Sequence, residues 1–292
     1  MSWAAHELES YIIQKHVKVK VSYTAILVGC LAPDMLTKLP VYGLHLGPIN
    51  FSAEQHPREY HRGFPGVGFT HTIFFAVLIS LIALWAFRSR EWSLGLLLGT
   101  AAHVLTDMFD SVGTMVFFPF TTQHYTTGMW AYAAQQGRYG DAAAYYSSLG
   151  GVWDLFWLCI VLLNYKALSR KFFFSNVTTA DPFWPWLRRT FRLSDRAMLA
   201  LYRSYFFYGA GRIFAWFIWA RWIKHAPLDL SWGGPFWVTK APGQTEGWAA
   251  ALQNTAIGIA GFAVFGYLIF RFVYRPLWRR TPEYEAPEPA PV

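Results

Sequence analysis

The stretch GTAAHVLTDMFDSVG, residues 99–113, places one histidine and two aspartates, His103, Asp107 and Asp110, where the chain otherwise has the composition of a membrane span. At about 3.6 residues per turn, positions four apart lie roughly 40° apart around a helix axis, and positions seven apart roughly 20°. A helix running through the whole stretch therefore carries the three side chains as one polar stripe on an apolar rod. Ionisable groups inside a membrane are costly, so they line a cavity, pair with one another or hold an ion. An HxxxD pair on one face presents a nitrogen and an oxygen donor together, the usual donors for zinc, manganese or iron. The blander alternative is a His–Asp hydrogen bond that only ties helices together.

Working outward, composition sets the class. Of 292 residues, 54% are hydrophobic and only 14% charged, too apolar for an ordinary soluble domain. The expected fold class is all-α, a polytopic helical membrane protein. Residues 68–87, 92–112, 151–168 and 206–223 approach the ~20 apolar residues needed to cross the hydrocarbon, and 255–274 is the cleanest such stretch. YTAILVGCLAP, residues 23–33, is too short to cross. It reads as a re-entrant or buried helix stopped at Pro33. The count is then about five transmembrane helices plus one short N-terminal helix, or six if residues 17–37 cross.

Loop charge orients the chain. Arg88 and Arg90, the basic run from Lys166 to Arg203, and Arg271 to Arg280 fall on one side and outweigh the other side's Lys and Arg. The positive-inside rule puts that side, with the C-terminus, in the cytoplasm, and residues 38–67, 113–150 and 224–254 outside. The expected location is the inner membrane of a bacterium. The net charge of +8 fits anionic headgroups, and no basic and aromatic stripe of the kind that binds nucleic acid is present. Cys30 and Cys159 read as packing residues. DPFWPWLRRTFRLSDR, residues 181–196, mixes Trp and Phe with arginine as an interfacial helix does. The first twenty residues lack the apolar core of a cleavable signal. The domain expectation is a core over 1–125, further transmembrane helices with a basic cytoplasmic loop over 126–274, and a disordered Pro- and Glu-rich tail over 275–292.

With this topology Asp34, His61, His71, Asp107 and Asp110 gather toward the external face, with His103 about a turn deeper. His6, Asp34 in LAPD, His71 in GFTHT, His103 and Asp107 in GTAAHVLTDMF, and the following GTMVFFPF resemble, in order and spacing, the YdjM-like membrane-bound metal-dependent hydrolases. That family is similar in turn to the zinc-dependent phospholipase C helical fold. The resemblance covers roughly residues 1–125, the ordered set being specific and each piece alone weak. It implies that Asp34, His71, His103 and Asp107 are metal ligands and His6 a further one. It also implies zinc, with manganese or iron as alternatives. Two departures accompany it. Met35, Leu36 and Thr37 follow Asp34 where the family places a second acid, and extra residues separate His61-Arg62-Gly63 from Thr70-His71.

Asp110, His61 and Arg62 are the candidate catalytic residues. Asp110 stands in for the missing acid, His61 loops back into the site, and Arg62 is a cation for a phosphoryl group, though an ordinary surface arginine is the plainer reading. Arg212, inside an apolar stretch, needs an acid or a phosphate, and Asp154 is one mate. His124 and Asp154 are further acid or base candidates for which a structural role is favoured. The expected function is hydrolysis of a membrane-presented substrate, a phospholipid or other phosphoester, with membrane lipids as partners. The alternatives are a non-catalytic metal-binding scaffold and an ion or proton transporter, against which the absence of an internal repeat counts. Sequence alone leaves the oligomeric state open.

Overall fold

The computed structural model describes residues 2–42, 45–46, 49–50, 69–121, 123–130, 141–232, 267–268 and 271–272. Among them the chain is helical apart from a two-residue antiparallel ribbon, β1 (His45–Leu46) with β2 (Ile49–Asn50). The helices are α1 (Trp3–His16), α2 (Tyr23–Tyr42), α3 (Ile73–Phe87), α4 (Arg90–Thr106), α5 (Asp141–Tyr146), α6 (Leu149–Leu163), α7 (Arg170–Phe172), α8 (Phe183–Phe191) and α9 (Asp195–Ile218). The all-α expectation holds for these residues. No helix among them is long and apolar enough to cross a membrane. At 1.5 Å per residue the 15 residues of α3 and of α6 reach about 22 Å, against about 30 Å of hydrocarbon. The stretch 255–274 and the tail 275–292 lie outside the described residues, save the isolated helical residues near 267–272.

Helix boundaries differ from the sequence expectation in three places, each for a local reason. First, α2 does not stop at Pro33 but continues to Tyr42. Proline cannot donate to the carbonyl four residues back, and in α2 that carbonyl, on Gly29, accepts instead from the Thr100 hydroxyl of α4 at 3.2 Å. A neighbouring helix thus supplies the missing donor. Second, α4 ends at Thr106, short of residue 112. The chain turns there through a 3₁₀ turn, Asp107–Phe109, and Asp110 accepts from the Val112 and Gly113 amides at 3.0 and 2.9 Å. Gly113 takes φ +66°, which suits a residue without Cβ. Third, α9 begins eleven residues before position 206. Ser194 caps it by accepting from the Ala197 amide, and a π turn, Trp219–Ile223, continues it.

The centre of the fold is the crossing of α2 on α4. Gly95 and Gly99 are four apart on α4, and Gly29 faces them from α2. A Cβ built on Gly99 would stand 2.1 Å from the Ile26 carbonyl oxygen, and one on Gly29 would stand 2.7 Å from that of Leu96. The two backbones touch, a packing mode that small residues permit where dispersion rather than water drives helix association. α3 returns antiparallel to α4 through Arg88, in the left-handed region at φ 52°, and Ser89, which caps α4. Ser80 and Ser93 clasp the hairpin, each hydroxyl donating to the other's carbonyl at 2.9 Å.

α1 joins this unit to the C-terminal helices. Its Leu8 and Tyr11 enter a core with Tyr23, Phe173, Trp184, Tyr202 and Phe206, and the Tyr11 hydroxyl donates to the Tyr202 carbonyl at 2.6 Å. Buried carboxylates brace both ends of this contact. Asp181 accepts from the amides of Thr24 and Phe183, at the starts of α2 and α8. Asp154 accepts from the hydroxyls of Tyr145, Tyr146 and Ser2. In α8, the expected interfacial segment, Trp184 and Leu187 are buried while Arg188 and Phe191 are exposed. Large apolar side chains stand open to the surroundings on several elements, Trp85 at 83% and Leu163 at 79% among them.

Gly99→Ala should cost at least about 2 kcal/mol of stability, because the new methyl meets backbone rather than a movable side chain. Gly211→Ala, with nothing within 4 Å of the added carbon, should be neutral or stabilise by up to about 1 kcal/mol. Thermal unfolding of the two solubilised variants beside the parent chain checks both.

Candidate metal centre

Two helices, α2 and α4, and two 3₁₀ turns bring four of the predicted ligands together. Asp34 comes from α2, in the stretch beyond Pro33 that the expected helix would not have covered. His103 comes from the last turn of α4, and Asp107 from the residue just past it. His71 closes the 3₁₀ turn Phe69–His71, which Thr72 locks by donating to the Phe69 carbonyl at 2.6 Å while accepting from the Phe75 amide at 3.0 Å. All four are buried, and one ligand atom from each lies within 4.8 Å of every other.

The distances have the scale of a coordination sphere. His103 Nε2 is 3.3 Å from Asp107 Oδ2 and 3.9 Å from Asp34 Oδ1. His71 Nε2 is 3.4 Å from Asp34 Oδ1 and 3.6 Å from Asp107 Oδ2. Ligands bonded at about 2.0–2.1 Å to a tetrahedral ion lie about 3.3 Å apart. Tautomers point the same way. His103 Nδ1–H donates to the Cys30 carbonyl at 2.7 Å, which leaves the Nε2 lone pair facing the two carboxylates, buried and without a hydrogen-bond partner. Buried polar atoms are normally satisfied, so an orphaned nitrogen beside two carboxylate oxygens fits a cation bound among them. Nitrogen and oxygen donors together suit zinc, and manganese or iron as well.

His6 joins from α1 on the other side of Asp107. Its ring stacks on that of His103 with centroids 3.8 Å apart and 16° between planes. Nε2 lies 3.4 Å from Asp107 Oδ1, and Nδ1–H donates to Glu9 at 3.3 Å. Burial pushes the His6 imidazole below its ordinary value against the pull of the Glu9 carboxylate, so the ring is neutral at pH 7. His6 thus reaches the four-residue group through Asp107 and His103. His71, His103, Asp34, Asp107 and His6 all meet at this place.

Asp110, Arg212 and His124 lie outside that group. Asp110 is off the helical stripe because α4 has already ended. Its carboxylate holds the turn at Val112 and Gly113, and its carbonyl accepts from Thr126. It acts in the loop rather than as a replacement for the missing acid, and the position after Asp34 is taken by the exposed Met35. His61 and Arg62 lie outside the described residues. Arg212 pairs with Glu7, not Asp154, and lies 4.4 Å over the Tyr208 ring. His124 is buried and donates through Nδ1 to the Val112 carbonyl at 3.2 Å, tying the 110–130 loop.

Sequence reasoning missed two acids, Glu7 and Glu9. The i, i+3 spacing of His6 and Glu9 was a usable signal for the second. Nothing near Arg212 in sequence pointed to Glu7, since the pairing depends on how α1 crosses α9. The glycine pair at 95 and 99 was also legible as a close-approach motif.

A family model described as YdjM inner membrane protein matches residues 4–173. The match extends beyond residue 125 and takes in α1 through α7, with every residue of the cluster. No curated protein and no solved structure matches the chain.

His103→Ala and Asp107→Ala should each reduce bound divalent metal to background, as read by elemental analysis of chain purified without chelator. Asp110→Ala should retain the metal and lose about 1–3 kcal/mol of stability through its two freed amides.

Proposed function

Because the chain belongs to the YdjM inner membrane protein family, we propose that it is a metal-dependent hydrolase of the bacterial inner membrane, acting on a substrate presented by the bilayer. One observation carries the reading: His103 Nε2, buried and without a hydrogen-bond partner, sits between the carboxylates of Asp34 and Asp107. When bound there, a divalent ion supplies Lewis acidity and lowers the pKa of a coordinated water toward about 7. Asp34, His71, His103 and Asp107 hold it. The Cys30 carbonyl keeps His103 in the required tautomer, and burial of the whole group keeps bulk water from competing for the donors.

A membrane-presented substrate is supported by the apolar surface near the cluster. The loop after Asp110 packs Met115 and Phe118 against Phe69 and Phe75, next to His71, while its Phe117 and Phe120 are exposed at 56% and 89%. An acyl or prenyl chain alongside these rings would present its headgroup ester to the site, which favours phospholipids and other lipid phosphoesters. The loop 113–130 faces outward and the C-terminus lies in the cytoplasm in this reading, following the loop charges.

Purified chain should hydrolyse a phosphodiester or a phospholipid in mixed micelles. His103→Ala should lower the rate at least about 100-fold, and chelation followed by zinc should abolish and restore it. A chain that binds metal stoichiometrically yet shows no hydrolysis across lipid phosphoesters would favour the metal-binding scaffold. Reporter fusions at the C-terminus and within 120–148 should report the cytoplasm and the outside, respectively; the reverse at both sites would invert the topology.

A further inference from the structure

We infer that Glu9 is a positioning residue of the metal centre, its carboxylate holding the His6 ring so that Nε2 faces Asp107. The inference rests on the metal-centre reading and concerns a side chain outside the four-residue donor group. Glu9 and His6 are three residues apart on α1, hence on one face, and both are buried, at 1% and 0% exposure. His6 Nδ1 lies 3.3 Å from Glu9 Oε2. With the carboxylate oxygen accepting, the proton is on Nδ1 and the lone pair on Nε2. That lone pair points toward Asp107 Oδ1, 3.4 Å away, and Nε2 makes no hydrogen bond. Two acceptors face each other here, an arrangement that is repulsive until a cation enters it.

The stack of His6 on His103 restrains the tilt of the ring but allows the half-turn about Cβ–Cγ that keeps the plane and exchanges ring nitrogens with ring carbons. Glu9 removes that freedom. A carboxylate on the far nitrogen of a metal-facing histidine sets the tautomer, aims the ring and raises its basicity, which is the arrangement found here. Packing alone does not account for the residue. Glu9 Oε1 is buried with no hydrogen-bond partner, and an apolar side chain of similar length would fill the same space without desolvating a charge. Besides the stack on His103, His6 meets the donor group at Asp107, whose Oδ1 is turned to His6 and whose Oδ2 is turned to His71 and His103.

The test is zinc affinity, measured by competition with a chromogenic chelator on the solubilised full-length chain. Glu9→Met, which keeps the side chain's length and removes the acceptor, should weaken zinc about 10–100-fold. Glu9→Gln, whose amide oxygen still accepts from Nδ1–H, should stay within about threefold of the parent. His6→Ala should lose as much as Glu9→Met, and the double variant should bind no more weakly than His6→Ala, because Glu9 acts through His6. Parent-like affinity in Glu9→Met would overturn the inference. So would a Glu9→Met factor that multiplies on top of His6→Ala, which would mean that the charge acts directly on the ion. Should Glu9→Met fail to fold, Glu9→Gln decides: a loss as large as that of His6→Ala would show charge, not orientation, to be what matters. A parent chain that holds no zinc would overturn the metal-centre reading together with this inference, whereas a zinc-binding parent with an indifferent Glu9 overturns the inference alone.

Discussion

Backbone contact between α2 and α4 is the constraint on which the rest of the structure depends. With no side chain at Gly29, Gly95 or Gly99, the two helices approach until a carbonyl of one meets a Cα of the other. Only at that separation does the Thr100 hydroxyl reach the Gly29 carbonyl, and His103 Nδ1 the carbonyl of Cys30. The first contact carries α2 past its proline and so delivers Asp34 on a continuous helix. The second sets the tautomer of His103. Packing, backbone satisfaction and ligand orientation thus follow from one steric allowance, and a single methyl group at position 99 opposes all three.

In the cluster formed in this way the rings of His6 and His103 are each left with one buried nitrogen short of a partner. Two imidazole nitrogens, on His6 and His103, are buried without hydrogen-bond partners and face aspartate oxygens at distances suited to ligands around an ion. Native folds keep such groups where something compensates them. Supporting contacts are well made by comparison. Thr72 caps the helix that follows His71, Cys30 accepts from His103, and Asp110 with His124 ties the loop that follows Asp107. A rigid frame around the donors is what metal affinity requires, because ordering the ligands in advance removes that cost from binding.

α1 links the cluster to the other half of the molecule. Its cap and successive residues serve different neighbours: Ser2 reaches Asp154 on α6, His6 faces Asp107 with Glu9 behind it, Glu7 pairs with Arg212 of α9, and Tyr11 bonds the Tyr202 carbonyl. Arg212 shows how a charge in an apolar stretch is accommodated. Its partner is an acid on a different helix, and a tyrosine face covers the guanidinium. The C-terminal helices hold α1 in place rather than supplying donors.

From sequence alone, composition gave the helical class and the HxxxD pair gave two donors on one face, while the family resemblance of the LAPD and GFTHT pieces implied Asp34 and His71 beside them, and the fold brings all four within 4.8 Å of one another. These features are local: apolar content is additive, and donors at i and i+4 share a face whatever surrounds them. Other features needed the tertiary structure. Pro33 does not end α2 because a hydroxyl from another helix replaces its lost donor. Asp110 leaves the stripe because the chain finds better partners in a turn than in another turn of helix. Arg212 takes Glu7 as its mate because α1, remote in sequence, crosses α9 there. In each case a backbone or charged group had a local default, and a partner distant in sequence offered a stronger interaction, which only the packed fold brings within reach.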